Sequence, residues 1–314
     1  MERTSVLGAG VMGHGIALLH AVAGFDVRLY DVAPGPLERA LGEIDRSLER
    51  MRQAGWLTDE EARQARTRLH PVTDLHEAVA GSTWITEAIP EVLSLKHELY
   101  QQLEEQVDAT TVIASNTSTL PLAELTAHAR HPERFIITHY FNPAQWVPLV
   151  EVVRGEATDP GVTERTVDLL RRMGKTPVLL KKDTPGFIAN RLQAALVREA
   201  FSLLEEGVAD ARDIDLALTA GPGFRWAFIG ALCTADFGGL DTWQRVCANL
   251  FPVLSNATEP PAWLKKKVAE GALGAKTGRG IFDYAPGELE ARLDERDDAF
   301  VQLMNLRRRL PDRR

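Results

Sequence analysis

The stretch that decides the fold is Ser5-Val6-Leu7-Gly8-Ala9-Gly10-Val11-Met12-Gly13-His14-Gly15-Ile16-Ala17. A short apolar strand ends at Leu7, glycines follow at 8, 10 and 13, and an apolar helical pattern opens at once. Gly8 permits a tight turn, Gly10 lets the backbone approach a pyrophosphate, and Gly13 allows close helix-sheet packing, while the helix N-terminus points its amide dipoles at the phosphates. Gly8, Gly10, Val11, Met12 and Gly13 are therefore the expected cofactor-binding turn. Such a glycine pattern alone is weak. Here Val27-Arg28-Leu29-Tyr30-Asp31 reads as the next strand, with an acid at its end, where the adenosine ribose hydroxyls should lie. A carboxylate there accepts hydrogen bonds from the ribose and repels a 2′-phosphate, so NAD is expected over NADP. Arg28 sits three positions before Asp31, on the opposite side of the strand, and makes a poor phosphate clamp.

Outward from this turn, short β-type runs alternate with long helical patterns. Strands are expected at Ser5-Leu7, Val27-Tyr30, Trp84-Glu87, Val112-Ser115, Phe135-Thr138, Leu149-Val153 and Pro177-Lys181, with helices between them at 13–23, 34–54, 93–106 and 163–173. That alternation predicts an α/β fold, a doubly wound Rossmann sheet over residues 1–183. After Asp183-Thr184-Pro185-Gly186 the pattern turns helical, and 184–314 is expected to be a second, all-helical domain for substrate binding and dimerisation. The tail from Glu288 to Arg314 is charged and helix-prone and ends in a basic cluster.

With 44 acidic against 36 basic residues, the charge of −8 gives no electrostatic support for nucleic-acid or membrane-surface binding, so the expected partner is a small molecule. At 314 residues a single core has usually stopped growing, which favours two domains. Cys233 and Cys247 are too few for a disulfide framework or a four-ligand zinc site, and no metal is expected. A reducing, cytoplasmic setting fits, and no leader or membrane-spanning run is apparent.

The second chemical signal is Thr138-His139-Tyr140-Phe141-Asn142-Pro143, followed by Leu149-Val150-Glu151-Val152-Val153. An imidazole at a strand end, beside a loop turned by Asn-Pro, projects where an open α/β sheet binds ligands. Glu151, on what reads as the returning strand, is within reach of the same imidazole. Alcohol oxidation needs such a pair: histidine takes the hydroxyl proton, and the carboxylate fixes its tautomer and stabilises the imidazolium. A lone histidine is more often structural; the glutamate and the nucleotide-binding pattern argue for the catalytic reading.

The chain resembles the L-3-hydroxyacyl-CoA dehydrogenases and their relatives that oxidise gulonate or carnitine, together with lambda-crystallin. The resemblance spans almost the whole sequence: GAGVMGHGIA at the start, TEAIPE followed by Lys96, SNTS at 115–118, HYFNP at 139–143, LVEVVRG, PGFIANRL, and KTGRGIFDY near the end. It implies NAD-dependent oxidation at C3, a role in fatty-acid metabolism and a homodimer. It also implies His139 as base with Glu151 as its partner, Ser118 and Asn190 holding the reacting oxygen, and NAD contacts from Asp31, Glu91, Lys96, Ser118 and Asn142. Ser118 offers both donor and acceptor and Asn190 an amide donor, which suits an oxygen passing from alcohol to ketone. Since Asn190 opens the second domain's long helix, the resemblance puts the reaction in an interdomain cleft.

Two departures bear on substrate. In the short-chain CoA members of the resembled family a lysine-rich helix end contacts the CoA phosphates; here Arg50-Met51-Arg52-Gln53-Ala54-Gly55-Trp56 stands in that place, with Arg50 and Arg52 as possible substitutes. Gly221-Pro222-Gly223-Phe224-Arg225-Trp226-Ala227 looks more like the gulonate and carnitine enzymes, and Arg225 is shaped to pair bidentately with a free carboxylate, unless it is a helix-end arginine packed on Trp226. A short L-3-hydroxyacyl-CoA leads, a free hydroxy acid follows closely, and a crystallin-like NADH-binding protein stands as a third reading.

Overall fold

The computed structural model describes residues 2–309. Its strands are β1 (Arg3–Leu7), β2 (Asp26–Tyr30), β3 (Leu69–Val72), β4 (Trp84–Glu87), β5 (Val112–Ser115), β6 (Phe135–Tyr140), β7 (Leu149–Val153) and β8 (Thr176–Leu179). The helices that surround them are α1 (Gly13–Val22), α2 (Pro34–Gln53), α3 (Asp59–Thr67), α4 (Leu75–Val79), α5 (Leu93–Gln106), α6 (Leu122–Leu125) and α7 (Pro160–Arg172). One sheet in the order β3-β2-β1-β4-β5-β6-β7-β8 results. Pairing is parallel from β3 to β6, antiparallel between β6 and β7, and parallel again to β8. The strand order reverses at β1, and its C-terminal end is where such sheets take ligands.

Helices on both faces explain why the strands carry near-continuous apolar runs. Successive residues go to opposite sides, as the two-residue period requires. Val6, Val112, Ala114 and Ile136 join Ile16, Ile44 and Leu170 in one core, whereas Leu7, Ile113, Phe135 and Ile137 join Leu103 and Tyr100 in the other.

Among these elements β3, α3, α4 and α6 go beyond the sequence reading, and two of them show why. Strand β3 pairs only with β2, as an edge, and contains Pro71; proline supplies no ladder N–H and is tolerated there, but it hides the strand from a propensity argument. Helix α3 begins with a capping box in which Thr58 accepts from the Glu61 amide and Glu61 returns to the Thr58 amide. That four-residue signature was legible in the sequence.

The chain forms two compact units. The first runs to Ile188 and is rejoined by the chain from Asp297 onward; the second is Ala189–Arg296. The second unit holds α8 (Ala189–Glu205), α9 (Ala211–Ala220), α10 (Pro222–Trp226), α11 (Ala231–Gly238), α12 (Leu240–Leu250) and α13 (Ala262–Ala269), with only two isolated bridges of β type. A final helix, α14 (Glu288–Arg309), carries the chain back. The sequence reading grouped 184–314 as one domain, and the chain after Asp297 differs from it because specific partners await it on the first unit. Asp297 accepts from Arg50 at 3.1 Å and from the Trp146 indole at 3.0 Å, Asn305 accepts from the Trp56 indole, and Arg308 stacks on Trp56. The end of the helix-prone tail, 310–314, lies outside the described residues.

Candidate active site

The glycine turn between β1 and α1 has the geometry its sequence requires. A Cβ on Gly8, where φ is +102°, would fall 2.5 Å from the Ala88 carbonyl oxygen, and one on Gly13 would fall 1.7 Å from that of Gly8. At Gly10 nothing lies within 4 Å, so the backbone there faces open space that a pyrophosphate can enter. Val11 is 67% exposed beside it, and the first turn of α1 carries no acid to offset its dipole. Asp31 reaches back from the end of β2 to accept the Ala9 amide at 3.0 Å, tying the carboxylate to the turn. Its remaining lone pairs suit a ribose diol. Arg28 is taken by Asp26 at 3.0 Å. The residues present fit NAD.

His139 and Glu151 are direct cross-strand partners in the antiparallel β6–β7 pair. This register puts His139 Nδ1 2.9 Å from Glu151 Oε2, with both side chains buried. The second carboxylate oxygen accepts the Ile188 amide at 2.9 Å, which fixes the plane of the carboxylate. An Nδ1 that donates to a carboxylate leaves the Nε2 lone pair as the proton acceptor. Phe141 and Phe187 hold the imidazole, at centroid distances of 4.7 and 5.4 Å. Phe187 has φ of 51°, a left-handed backbone that a bulky side chain adopts only when the surroundings hold it there.

Ser118 lies on the loop after β5, and Glu91 holds that loop from below. One Glu91 oxygen accepts the Thr117 hydroxyl and the Ser118 amide at 2.5 and 2.9 Å, and the Thr119 amide and hydroxyl at 3.2 and 3.1 Å. Burial raises the Glu91 pKa, but the hydrogen bonds from Thr117 and Ser118 and the charge of Lys96 outweigh it and hold the carboxyl below its ordinary value. Lys96 is 1% exposed and lies between two carboxylates, 2.6 Å from Glu87 and 3.3 Å from Glu91. Glu87 in turn accepts Tyr100 and Ser115, each at 2.7 Å.

The other expected residues are spread more widely. Asn142 is exposed on the loop after β6. Asn190 is the second residue of α8, and Arg225 is exposed on α10 with no side-chain ion pair or hydrogen bond among the described residues. Arg50 is held by Asp297 and Asp298, both at 3.1 Å, and Arg52 by Glu49 at 2.6 Å and Asp59 at 3.3 Å.

Sequence reasoning passed over three contributors. Glu87 stands in the quoted TEAIPE run, but its four-donor burial is a tertiary fact. Asn116, whose side-chain oxygen accepts the Tyr140 amide at 3.0 Å, sits inside SNTS. Phe187 follows Pro-Gly, a turn signal that marked the spot without showing the ring's contact with His139.

Comparison with known proteins bears on the whole arrangement. The family described as 3-hydroxyacyl-CoA dehydrogenase, NAD binding domain, matches residues 3–184, and its C-terminal domain matches residues 186–284. The 5-formyl-3-hydroxy-2-methylpyridine 4-carboxylate 5-dehydrogenase of Mesorhizobium japonicum is 35% identical over 306 residues, covering 98% of each chain. The probable 3-hydroxybutyryl-CoA dehydrogenase of Bacillus subtilis is 37% identical over 289 residues, covering 90% of this chain and 98% of the relative. A crystal structure of a 5-formyl-3-hydroxy-2-methylpyridine 4-carboxylic acid 5-dehydrogenase, an NAD+-dependent dismutase, matches with a TM-score of 0.91 at 34% identity over 98% of both chains. With both domain types matched in order and the relatives spanning almost its full length, this chain belongs to the 3-hydroxyacyl-CoA dehydrogenase family and is an NAD-dependent dehydrogenase of that family.

Proposed function

We propose that the substrate is a compact free hydroxy acid, oxidised at its hydroxyl carbon, rather than a CoA thioester. The observation that carries this is the state of the arginines. Arg50 and Arg52, the side chains available for CoA phosphates, are each held by two carboxylates, whereas Arg225 is exposed and without a partner among the described residues. A neutralised guanidinium attracts a phosphate weakly, and a free one pairs bidentately with a carboxylate. The relative named for a pyridine carboxylate also covers 98% of this chain. The thioester is the second reading, supported by the relative named for 3-hydroxybutyryl-CoA.

NAD supplies the two-electron acceptor when bound in the glycine turn. His139 Nε2 takes the substrate's hydroxyl proton, and Glu151, already bonded to Nδ1, stabilises the imidazolium that forms. Ser118 follows the reacting oxygen, donating to it once it becomes a carbonyl. Phe141 and Phe187 keep the ring oriented and water away from it. Turnover on 3-hydroxybutyrate, gulonate, carnitine and acetoacetyl-CoA with one protein sample tests the proposal. Efficient use of a free acid with little of the thioester is expected, and the reverse overturns it.

We also propose a homodimer. The second unit has no buried apolar side chain, while Leu232 is 88% and Phe237 73% exposed. A helical unit of this length needs an apolar core, and a second copy with the same face is the partner that symmetry offers.

A further inference from the structure

Lys175, in the turn that leads into β8, is a buried cation without an acid. It is 7% exposed, and its Nζ donates to the Val147 carbonyl at 2.9 Å and to the Ala144 carbonyl. An ammonium has three N–H groups, and the third meets no acceptor among the described residues. A buried charge normally has a counter-ion, because the desolvation penalty otherwise falls on it uncompensated. Here that penalty shows as a pKa pushed down by burial to about 7, so near neutral pH the ammonium and the neutral amine coexist, and an anion beside the group would draw it to the charged, three-donor form.

Lys175 is also one of the residues that line a cavity of about 80 Å³. Its walls include the indoles of Trp56 and Trp146 and the thioethers of Met51 and Met173, and no aspartate or glutamate lines it. Arg308 is the other charged group on the wall. Its guanidinium sits 4.1 Å from the Trp56 ring centroid and has no carboxylate partner among the described residues. Gln145 keeps its amide on the Ser47 hydroxyl. The cavity thus offers two cations and an apolar lining, and the anion is missing. His139, Glu151 and Ser118 do not line it.

We propose that this cavity is a binding site for a compact carboxylate with a short alkyl body, its charge on Lys175 and Arg308 and its carbons against Trp56 and Trp146. The volume sets the size. A space this small limits the ligand to a carboxylate of a few heavy atoms, whereas chloride would leave the apolar wall unfilled. Occupancy would complete the coordination of the Nζ that holds the Ala144 and Val147 carbonyls. The segment after Asn142 and Pro143 would be stiffened with it.

The test is calorimetric titration of the intact, NADH-saturated protein with sodium butyrate, with sodium chloride as the ionic-strength control. Saturable butyrate binding in the millimolar range, with none for chloride, is expected for so few contacts. Lys175→Met and Arg308→Gln should each weaken it by about tenfold or more, the worth of one charge-assisted hydrogen bond, with KM for NADH unchanged. Arg308→Gln, at an exposed residue of the cavity wall, carries the test if Lys175→Met does not fold. Absence of binding to the unmodified protein up to about 50 mM overturns the site. So does an equal response to chloride, or an Arg308→Gln variant that binds butyrate undiminished, since butyrate would then be lodging elsewhere.

Discussion

His139 shows how far a residue's role can be derived from its neighbours. Its Nδ1 is committed to Glu151, so its reactivity is confined to Nε2. His139→Ala should lower kcat by about 10²–10⁴-fold, the usual scale of general acid-base catalysis, with NADH affinity read by fluorescence little changed. Glu151→Gln keeps the shape and loses the charge, and its kcat should also fall; near-normal turnover in both variants would point to another base. At the ribose end, Asp31 should give NAD at least about a tenfold advantage over NADP in kcat/KM, and Asp31→Ser should narrow it. Equal use of both cofactors by the unmodified enzyme would remove Asp31 from that role. These residues were legible because strand periodicity and the glycine turn fix where they point. Lys96 and Arg50 were not. On composition Lys96 looks like a solvated charge, and Arg50 was read as a candidate for CoA phosphates; what each meets, Glu87 in the buried interior or Asp297 far along the chain, is set by packing alone.

At the scale of the element, α1 carries a cost of its own. His20 is fully buried against Phe25, neither ring nitrogen has a partner among the described residues, and burial pushes its pKa down to about 3. An unfolded histidine protonates near 6.5, so as pH falls from there toward 3 the unfolded chain binds a proton that the folded one refuses. The stability of the first unit should be fully present above that range and decline through it, a trend urea unfolding at pH 7 and pH 5 would measure. His20→Leu should flatten the decline and raise stability at neutral pH by about 1–3 kcal/mol, since it removes two buried unpaired nitrogens. An unchanged pH slope in that variant would exonerate His20. The strands that frame the site were readable because their apolar runs fit a sheet covered on both faces. Strand β3 was not, because its proline argues against it and only its edge position permits it.

For the whole molecule, the apolar faces of the second unit dominate. If a second copy covers them, light scattering after gel filtration should give the mass of two chains, and the melting temperature should rise with protein concentration, as association couples to folding. A monomer whose melting is independent of concentration would require another cover for Leu232 and Phe237. Chain length and the turn to a helical pattern after Gly186 suggested two domains, but the course of the tail was hidden, since its attachment depends on Trp56 and Trp146 meeting residues some 150 to 250 positions away. That attachment makes the second unit an insertion in the topological sense: the chain departs after Ile188 and is back by Asp297. A protease that nicks the intervening helices would therefore sever the backbone without releasing the C-terminal piece. The fragments would part in detergent yet travel together in buffer, joined at Arg50, Trp56 and Trp146 like a strap whose buckle lies on the other half.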